Sequence, residues 1–337
     1  MYAMILEPTN RCNRDCLHCM RNKADPVDDI PLKTVERIFS QAKSLGLQSI
    51  CLTGGEVATY PHLEGLFRMI ADYGFKFNLV TNGYRFGERL LPLVSDPQVR
   101  RFFAGACFSL DGATPETHDA LRGKGSFKEV TEAANLCVLK NIQVDFKSAI
   151  TNFNKHQLNE LGLLAAALGA KSHGFIYLSP TPRLIEEGVI PTPEELNSLV
   201  QRIMGGLAQS LKTRIEIEGF FPKGVIFSCG NITQSINVDQ QGNLILCCNL
   251  SHVTQGNGIP TRLGGEFLGS LEKISLKEGI IRHFKAVARL MEARLKDMDR
   301  ISGLTGNPCY WCFKHFGKLA WLKEFPDSPW AAGVLSE

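Results

Sequence analysis

The chain has 337 residues, of which 44% are hydrophobic, and a formal net charge of +3 at pH 7. Near balance of charge without a long basic run argues against a nucleic-acid partner, and the lack of a signal peptide or a long apolar span argues against a membrane. We therefore expect a cytoplasmic protein of one or two domains, whose eleven cysteines need a use other than disulfides.

The first predicted strand, Met4 to Glu7, leads directly into a cysteine-rich loop. Cys12, Cys16 and Cys19 stand there with C-x3-C-x2-C spacing. Three thiolates can ligate three irons of a 4Fe-4S cube and leave the fourth iron open for another ligand. The alternative is a structural zinc site that recruits His18 as its fourth ligand.

Strand-like runs alternate with amphipathic, helix-like stretches along the first half of the chain. The predicted strands are Met4 to Glu7, Ser49 to Thr53, Phe77 to Thr81, Phe102 to Leu110, Val144 to Ile150 and His173 to Leu178. The predicted helices include Leu32 to Leu45, His62 to Tyr73, Phe127 to Lys140 and Lys155 to Leu168. Six units predict an α/β fold, a partial (β/α)6 TIM-like barrel whose working residues collect at the carboxyl ends of the strands.

The alternation ends near Pro191. Thr192 is placed as an N-cap, with Pro193 at the first helical position. Glu195 completes a capping box, so we predict a helix that runs to about Leu211.

Two short strands, Ser235 to Val238 and Leu244 to Cys247, are predicted to form a β-hairpin beyond that helix. We place a domain boundary near Lys212. Residues 1–212 would form the partial barrel, and residues 213–337 a small α+β domain.

The three-cysteine loop resembles the cluster loop of the radical S-adenosylmethionine (radical SAM) superfamily. Two further motifs resemble this family: Thr53-Gly54-Gly55-Glu56 at the end of the second predicted strand, and the run Ser109 to Gly123 around the fourth. The resemblance implies that the open iron chelates the amino and carboxylate groups of SAM. An electron from the cluster would then cleave SAM to a 5′-deoxyadenosyl radical, which abstracts hydrogen from a substrate C–H bond.

The resemblance also implies a set of residues that contact SAM or the substrate. They are Gly54, Gly55, Glu56, Asn82, Ser109, Asp111, Arg122 and Lys147. The backbone of the glycine turn would bond the methionine amino group of SAM, Ser109 would lie near the ribose, and Asp111 near the ribose or the substrate. Arg122 would lie near the SAM carboxylate. For Asn82, Lys147 and Arg122 the alternative is a role in capping strand ends and turns.

A second set of cysteines lies in the C-terminal part of the chain: Cys229, Cys247, Cys309 and Cys312. The G-x4-C element ending at Cys247 and the C-x2-C pair resemble auxiliary-cluster domains called SPASM or, when shortened, twitch. No cysteine follows Cys312, so twitch with one auxiliary 4Fe-4S cluster is the better match. Four thiolates would saturate its irons and favour electron transfer. A four-cysteine structural zinc site is the alternative.

Cys248 directly follows one of these cysteines. It could replace Cys247 as a ligand, or face the active site as a catalytic thiol. Adjacent cysteine pairs also occur without function.

We therefore predict a radical SAM oxidoreductase that modifies a ribosomally made peptide by crosslinking or oxidation. The alternatives are a sugar- or aminocyclitol-type radical dehydrogenase, a redox-neutral epimerase that uses Cys248, and a non-enzymatic iron-sulfur sensor or scaffold. The expected partners are an electron donor such as flavodoxin or ferredoxin, and a separate leader-binding protein. Because the cluster loop starts at residue 12, we expect no leader-binding domain ahead of the barrel.

Overall fold

The computed structural model describes residues 3–21, 26–219, 229–252, 266–298 and 307–335. The strands within these residues are β1 (Ala3–Thr9), β2 (Ser49–Gly54), β3 (Lys76–Thr81), β4 (Phe103–Ser109), β5 (Val144–Ala149), β6 (Ala170–Ile176), β7 (Arg214–Glu218), β8 (Ser235–Val238), β9 (Asn243–Ile245) and β10 (Phe267–Ser270). They form one sheet in the order β10-β9-β8-β1-β2-β3-β4-β5-β6-β7.

Helices connect these strands and cover the sheet. They are α1 (Leu32–Ser44), α2 (Leu63–Asp72), α3 (Leu91–Ser95), α4 (Pro97–Arg100), α5 (Pro115–Arg122), α6 (Ser126–Leu139), α7 (Leu158–Ala167), α8 (Pro182–Glu186), α9 (Pro193–Arg202), α10 (Ala208–Ser210), α11 (Gly230–Thr233), α12 (Cys248–His252), α13 (Leu276–Lys296), α14 (Pro308–His315) and α15 (Ala332–Leu335). The Thr192 capping box is present, and α9 passes through a π-helical turn, Ile203–Leu207, into α10. The predicted helix to about Leu211 is therefore confirmed.

The six predicted β/α units are present, with bounds that differ from the prediction by a few residues at most. From β1 to β6 each strand pairs in parallel with the next. This confirms the α/β fold of a partial TIM-like barrel. Because the strands are parallel, their carboxyl ends meet at one edge, where the predicted motifs lie together.

The strands place apolar and polar side chains on opposite faces, as their period of two requires. Phe77 on β3 is buried against Phe67 of α2, with ring centroids 5.2 Å apart. The next residue, Asn78, points to the other face, where its Nδ2 lies 3.7 Å from Cys51 Sγ on β2. The apolar core therefore lies between the sheet and its helices, and polar residues remain on the inner face of the barrel.

β7 is a parallel strand beside β6 that the sequence analysis did not predict. It follows the predicted boundary near Lys212, so the sheet continues across that position. The predicted hairpin of β8 and β9 is confirmed. β8 also pairs in parallel with β1, so the hairpin extends the barrel sheet at its other end. The division into residues 1–212 and 213–337 stays a prediction.

In the part of the chain that the structure describes, no helix combines the length and the apolar character needed to cross a bilayer.

Candidate active site

The three-cysteine loop follows the carboxyl end of β1. Leu17 N–H donates to the Leu121 carbonyl at 2.9 Å, and Cys19 N–H donates to the Cys16 carbonyl at 3.1 Å, which fixes the loop backbone. Cys12 and Cys19 are exposed, whereas Cys16 is buried. Burial raises the pKa of the Cys16 thiol to about 11, so iron would have to displace its proton on binding.

The glycine turn after β2 packs directly on this loop. Gly55 N–H donates to the Thr9 carbonyl at 2.8 Å, and Glu56 N–H donates to the Arg11 carbonyl at 2.7 Å. A Cβ on Gly55 would lie 1.8 Å from the Arg11 carbonyl oxygen, and Gly54 has a φ of +113°. Only glycine fits both positions, because one demands a left-handed backbone and the other an unusually close approach.

The Glu56 side chain turns away from solvent and joins two strand ends. Its Oε1 accepts from Thr81 Oγ1 at 2.7 Å and from Ala58 N–H at 3.0 Å, and its Oε2 accepts from Asn82 N–H at 2.7 Å. Asn82 Nδ2 in turn donates to Asn13 Oδ1 on the cysteine loop at 2.9 Å. Burial raises the pKa of Glu56, although these hydrogen bonds oppose the shift. Glu56 and Asn82 thus brace the loop and the turn.

Arg122, at the end of α5, brings a cation to the same place. Its Nε donates to Asp111 Oδ2, its Nη2 lies 3.2 Å from His18 Nε2, and its Nη1 lies 3.9 Å from Cys16 Sγ. Asp111 is fully buried and also accepts from Ala149 N–H at 2.7 Å. Burial raises the pKa of Asp111, but Arg122 and His18 outweigh it and lower the pKa below its usual value. Asp111 is therefore a charged carboxylate, and it holds the Arg122 guanidinium in place from the buried side.

These elements enclose a cavity of about 300 Å³. The predicted residues that line it are Cys12, Cys16, Cys19, Gly54, Gly55, Glu56, Asn82, Ser109, Arg122 and Cys309. Tyr177, Leu178 and Ser179, just after β6, form part of its wall. One cavity therefore joins the three-cysteine loop to a member of the second cysteine set.

An ion pair lies beside this cavity on its barrel side. Lys147 Nζ on β5 is 2.8 Å from Glu218 Oε1 on β7, and Glu218 lines the cavity. Between them on β6 stands Gly174, whose added Cβ would lie 3.3 Å from Glu218 Oε1. Burial lowers the pKa of Lys147, but the carboxylate of Glu218 outweighs it and raises the pKa above its usual value. Lys147 is therefore positively charged, and the two side chains are about one third exposed.

The four cysteines of the second set come together around α11, β9 and α14. Cys229, Cys247 and Cys312 border one apolar cluster, which consists of Ile232, Leu246, Leu290 and Trp311. Cys309 stands one helical turn before Cys312 on α14. Burial, and then the neighbouring Cys312 and Cys229, raise the pKa of the Cys309 thiol. Among the described residues, no three Cys, His, Asp or Glu side chains converge closely enough to hold a single metal ion.

Cys248 lies beside this set rather than on the cavity wall, and it is partly exposed. Asn231 Nδ2 lies 3.2 Å from Cys247 Sγ and 3.6 Å from Cys248 Sγ, so the two thiols are neighbours. The next residue, Asn249, lines the cavity.

Two predicted residues, Asp111 and Lys147, lie behind the cavity wall, each paired with a residue that lines it. Glu218 was not predicted from the sequence, although the alternation Arg-Ile-Glu-Ile-Glu over β7 is a strand signal. Asn231 and Arg294, which contact cysteines of the second set, were not predicted either. No local pattern indicates those two contacts.

The chain is similar in sequence to several curated proteins. One curated relative, the AdoMet-dependent heme synthase of Methanosarcina barkeri, is 26% identical over 180 residues, or 52% of this chain and 50% of the synthase. The antilisterial bacteriocin subtilosin biosynthesis protein AlbA of Bacillus subtilis is 24% identical over 308 residues, or 90% of this chain and 66% of AlbA. The chain thus spans about half the length of the first relative and about two thirds of the second.

A solved structure has the same fold. Native anSMEcpe with bound AdoMet and Cp18Cys peptide superposes with a TM-score of 0.65 at 17% identity, covering 96% of this chain and 97% of that chain. The family model of the Radical SAM superfamily matches residues 6–166, the segment that carries the cysteine loop, the glycine turn and Arg122. By this match, residues 6–166 of the chain belong to the radical SAM superfamily.

Proposed function

We propose that this chain is a radical SAM enzyme with one auxiliary 4Fe-4S cluster, which oxidises a peptide substrate at an unactivated C–H bond. One observation carries the proposal: a single cavity is lined by Cys12, Cys16 and Cys19, by the glycine turn, and by Cys309 of the second set. A radical-generating site and an electron acceptor would thus share one space.

The residues around the cavity fit a three-cysteine cluster with SAM. Three thiols and the guanidinium of Arg122 line it together, and the turn at Gly55 lies against the loop with no room for a side chain. A volume of about 300 Å³ is at the lower end of the range for small-molecule sites. When bound, the cluster and SAM supply a 5′-deoxyadenosyl radical that removes a hydrogen atom from the substrate.

The chain's own residues would position SAM at both ends. Arg122 binds its carboxylate, and Asp111 keeps the guanidinium in place from the buried side. The backbone of the Gly54–Glu56 turn contacts the methionine amino group. Ser109, which lines the cavity at the end of β4, bonds the ribose.

Cys229, Cys247, Cys309 and Cys312 would hold the auxiliary cluster. Four thiolates leave it no open iron, so its role is to accept an electron rather than to bind substrate. Glu218 lines the cavity and Lys147 pairs with it, so Glu218 would contact the substrate with Lys147 behind it. An external reductant such as flavodoxin or ferredoxin would supply the first electron.

A peptide substrate is favoured by two of the similar proteins. AlbA is a biosynthesis protein for the bacteriocin subtilosin, and anSMEcpe binds a peptide in the solved structure. A separate leader-binding protein would present the peptide. A small-molecule substrate is the alternative, since another relative is a heme synthase.

A redox-neutral epimerase is the second candidate. It is favoured by the partial exposure of Cys248, beside a residue that lines the cavity. In that reaction the Cys248 thiol returns a hydrogen atom to the substrate carbon, and the resulting thiyl radical has to be reduced before the next turnover.

Anaerobic incubation with SAM, dithionite and candidate short peptides encoded by neighbouring reading frames tests the proposal. We expect about 8 irons per chain, from two cubes of four, and a peptide that has lost two hydrogens. A wild-type chain that binds one equivalent of zinc at the second set, or about 4 irons, contradicts the two-cluster model. A peptide of unchanged composition that gains one deuterium in heavy water favours the epimerase.

A further inference from the structure

Arg294, in the last turn of α13, is buried beside the second cysteine set. Its side chain is 1% exposed, and its Nη2 lies 2.7 Å from Cys312 Sγ. The guanidinium carbon lies 5.1 Å from the Trp311 ring centroid, and Trp311 Nε1 donates to Asp297 Oδ2 at 3.1 Å. A guanidinium keeps its charge in proteins, so its burial here is costly unless an electron-rich acceptor partners it. The Pro308 carbonyl, 3.4 Å from Nη2, is one acceptor, and a cluster thiolate at Cys312 is a closer and more electron-rich one.

A second donor reaches another cysteine of the same set. Asn231, on the short helix α11, places Nδ2 3.2 Å from Cys247 Sγ. At the first set, a backbone hydrogen bond from Arg14 acts on Cys12, while Arg122 Nη1 lies 3.9 Å from Cys16 Sγ and the Arg122 Nε donates to Asp111 instead. Side-chain donors, one of them charged, therefore approach the second set more closely than the Arg122 side chain approaches the first.

This difference has an electrochemical consequence. Reduction adds an electron to a cluster whose thiolates already make it anionic. Hydrogen bonds to the sulfurs, and a nearby positive charge in a low-dielectric environment, stabilise the reduced state and raise the reduction potential. A charged donor has the larger effect, because charge-assisted hydrogen bonds are about twice as strong as neutral ones.

We infer that Arg294 and Asn231 are hydrogen-bond donors to the ligand sulfurs of the second cluster and hold its reduction potential above that of the three-cysteine cluster. This inference rests on the proposed function, because it assumes a cluster at the second set. It makes Arg294 a positioning residue that sets the direction of electron flow, from the substrate towards the second cluster.

Potentiometric titration monitored by electron paramagnetic resonance tests the inference. The full chain with Cys12, Cys16 and Cys19 all replaced by Ala would isolate the second cluster, and Arg294→Met, Arg294→Lys and Asn231→Leu would be made in that background. Arg289→Met is the matched control, because Arg289 is exposed on the same helix. Iron content, measured on each sample, shows whether the cluster is retained.

We expect Arg294→Met to lower the equilibrium constant for reduction of the second cluster at least tenfold. For a one-electron couple this makes the reduction potential about 59 mV more negative. Arg294→Lys, which keeps the charge, should recover part of that shift. Asn231→Leu should give a smaller shift of the same sign, and Arg289→Met none. If Arg294→Met loses the cluster, the inference is tested by Arg294→Lys and Asn231→Leu, which should both still shift the reduction potential to more negative values.

The two possible failures differ. Unchanged potentials in all three variants, with iron retained, overturn the inference and leave the proposed function intact. The inference also fails if the wild-type second cluster has the lower potential of the two. Absence of iron from the triple-alanine protein removes the second cluster, and the proposed function fails with it.

Discussion

Replacing Gly55 with Ala tests whether the glycine turn controls SAM binding. The new Cβ would stand 1.8 Å from the Arg11 carbonyl oxygen, whereas such contacts in proteins essentially never fall below 3.0 Å. The turn and the cysteine loop must therefore separate by roughly 1 Å. The Arg11 carbonyl carbon, at 2.6 Å, is backbone as well, whereas the third near atom belongs to the flexible Arg21 side chain, which can move aside.

The cost can be worked from these contacts. Overpacking of this kind costs about 1–3 kcal/mol. Loss of the 2.7 Å hydrogen bond from Glu56 N–H to the Arg11 carbonyl adds about 1 kcal/mol. The free protein relieves this strain by displacing the loop, but bound SAM requires the loop in place. At about 1.4 kcal/mol per tenfold, SAM affinity should fall roughly 30-fold or more.

Equilibrium binding of SAM to anaerobically reconstituted protein measures the effect. Gly206→Ala is the matched control, because Gly206 is exposed and nothing lies within 4 Å of its added Cβ. The control should bind SAM like the wild type. If Gly55→Ala binds SAM within threefold of the wild type while retaining its iron, the argument from close approach is wrong.

Three further changes test separate parts of the site. Arg122→Met should weaken SAM binding roughly tenfold to a hundredfold, the worth of a charged hydrogen bond, and equal affinity would exclude a carboxylate contact. If Cys247 is the cluster ligand, Cys248→Ala should give the same oxidised product, which mass spectrometry measures. If the variant instead loses the iron of one cluster, Cys248 is the ligand and Cys247 is not. Burial lowers the pKa of His173 to about 4 from about 6.5 in the unfolded chain. As the pH falls from 7 to 5, the unfolded chain therefore binds a proton at His173 before the folded protein does, and the free energy of unfolding decreases. His173→Phe should remove about 2 kcal/mol of that loss in urea titrations, and an unaltered pH dependence would contradict it.

The sequence predicted the barrel well and indicated which strand ends carry the candidate site, because both depend on local patterns. Period-two strands and amphipathic helices located β1 to β6, and the positions of the Cys12 loop and Gly55 followed from motifs at strand ends. The strand β7 was missed, although its alternation is regular, because it falls just after the helix whose end was taken as a boundary.

Contacts between distant positions could not be predicted in this way. Asp111, expected near the ribose or substrate, is buried behind Arg122, and His18 completes that cluster from 104 residues away in sequence. In the sequence, Arg294 is one more positively charged residue in a helix rich in charged residues. Its contact with Cys312 arises only from tertiary packing. Such pairings arise from tertiary packing and produce no periodic pattern in the sequence.

Formation of 5′-deoxyadenosine under reducing, anaerobic conditions tests the central claim most directly. Wild-type protein should cleave SAM, and the variant with Cys12, Cys16 and Cys19 replaced by Ala should form none, because it lacks the cluster with an open iron. Cys309→Ala should keep some cleavage while losing the oxidised product, if its fold and first cluster are retained. Cleavage by the triple variant at the wild-type rate would contradict the account.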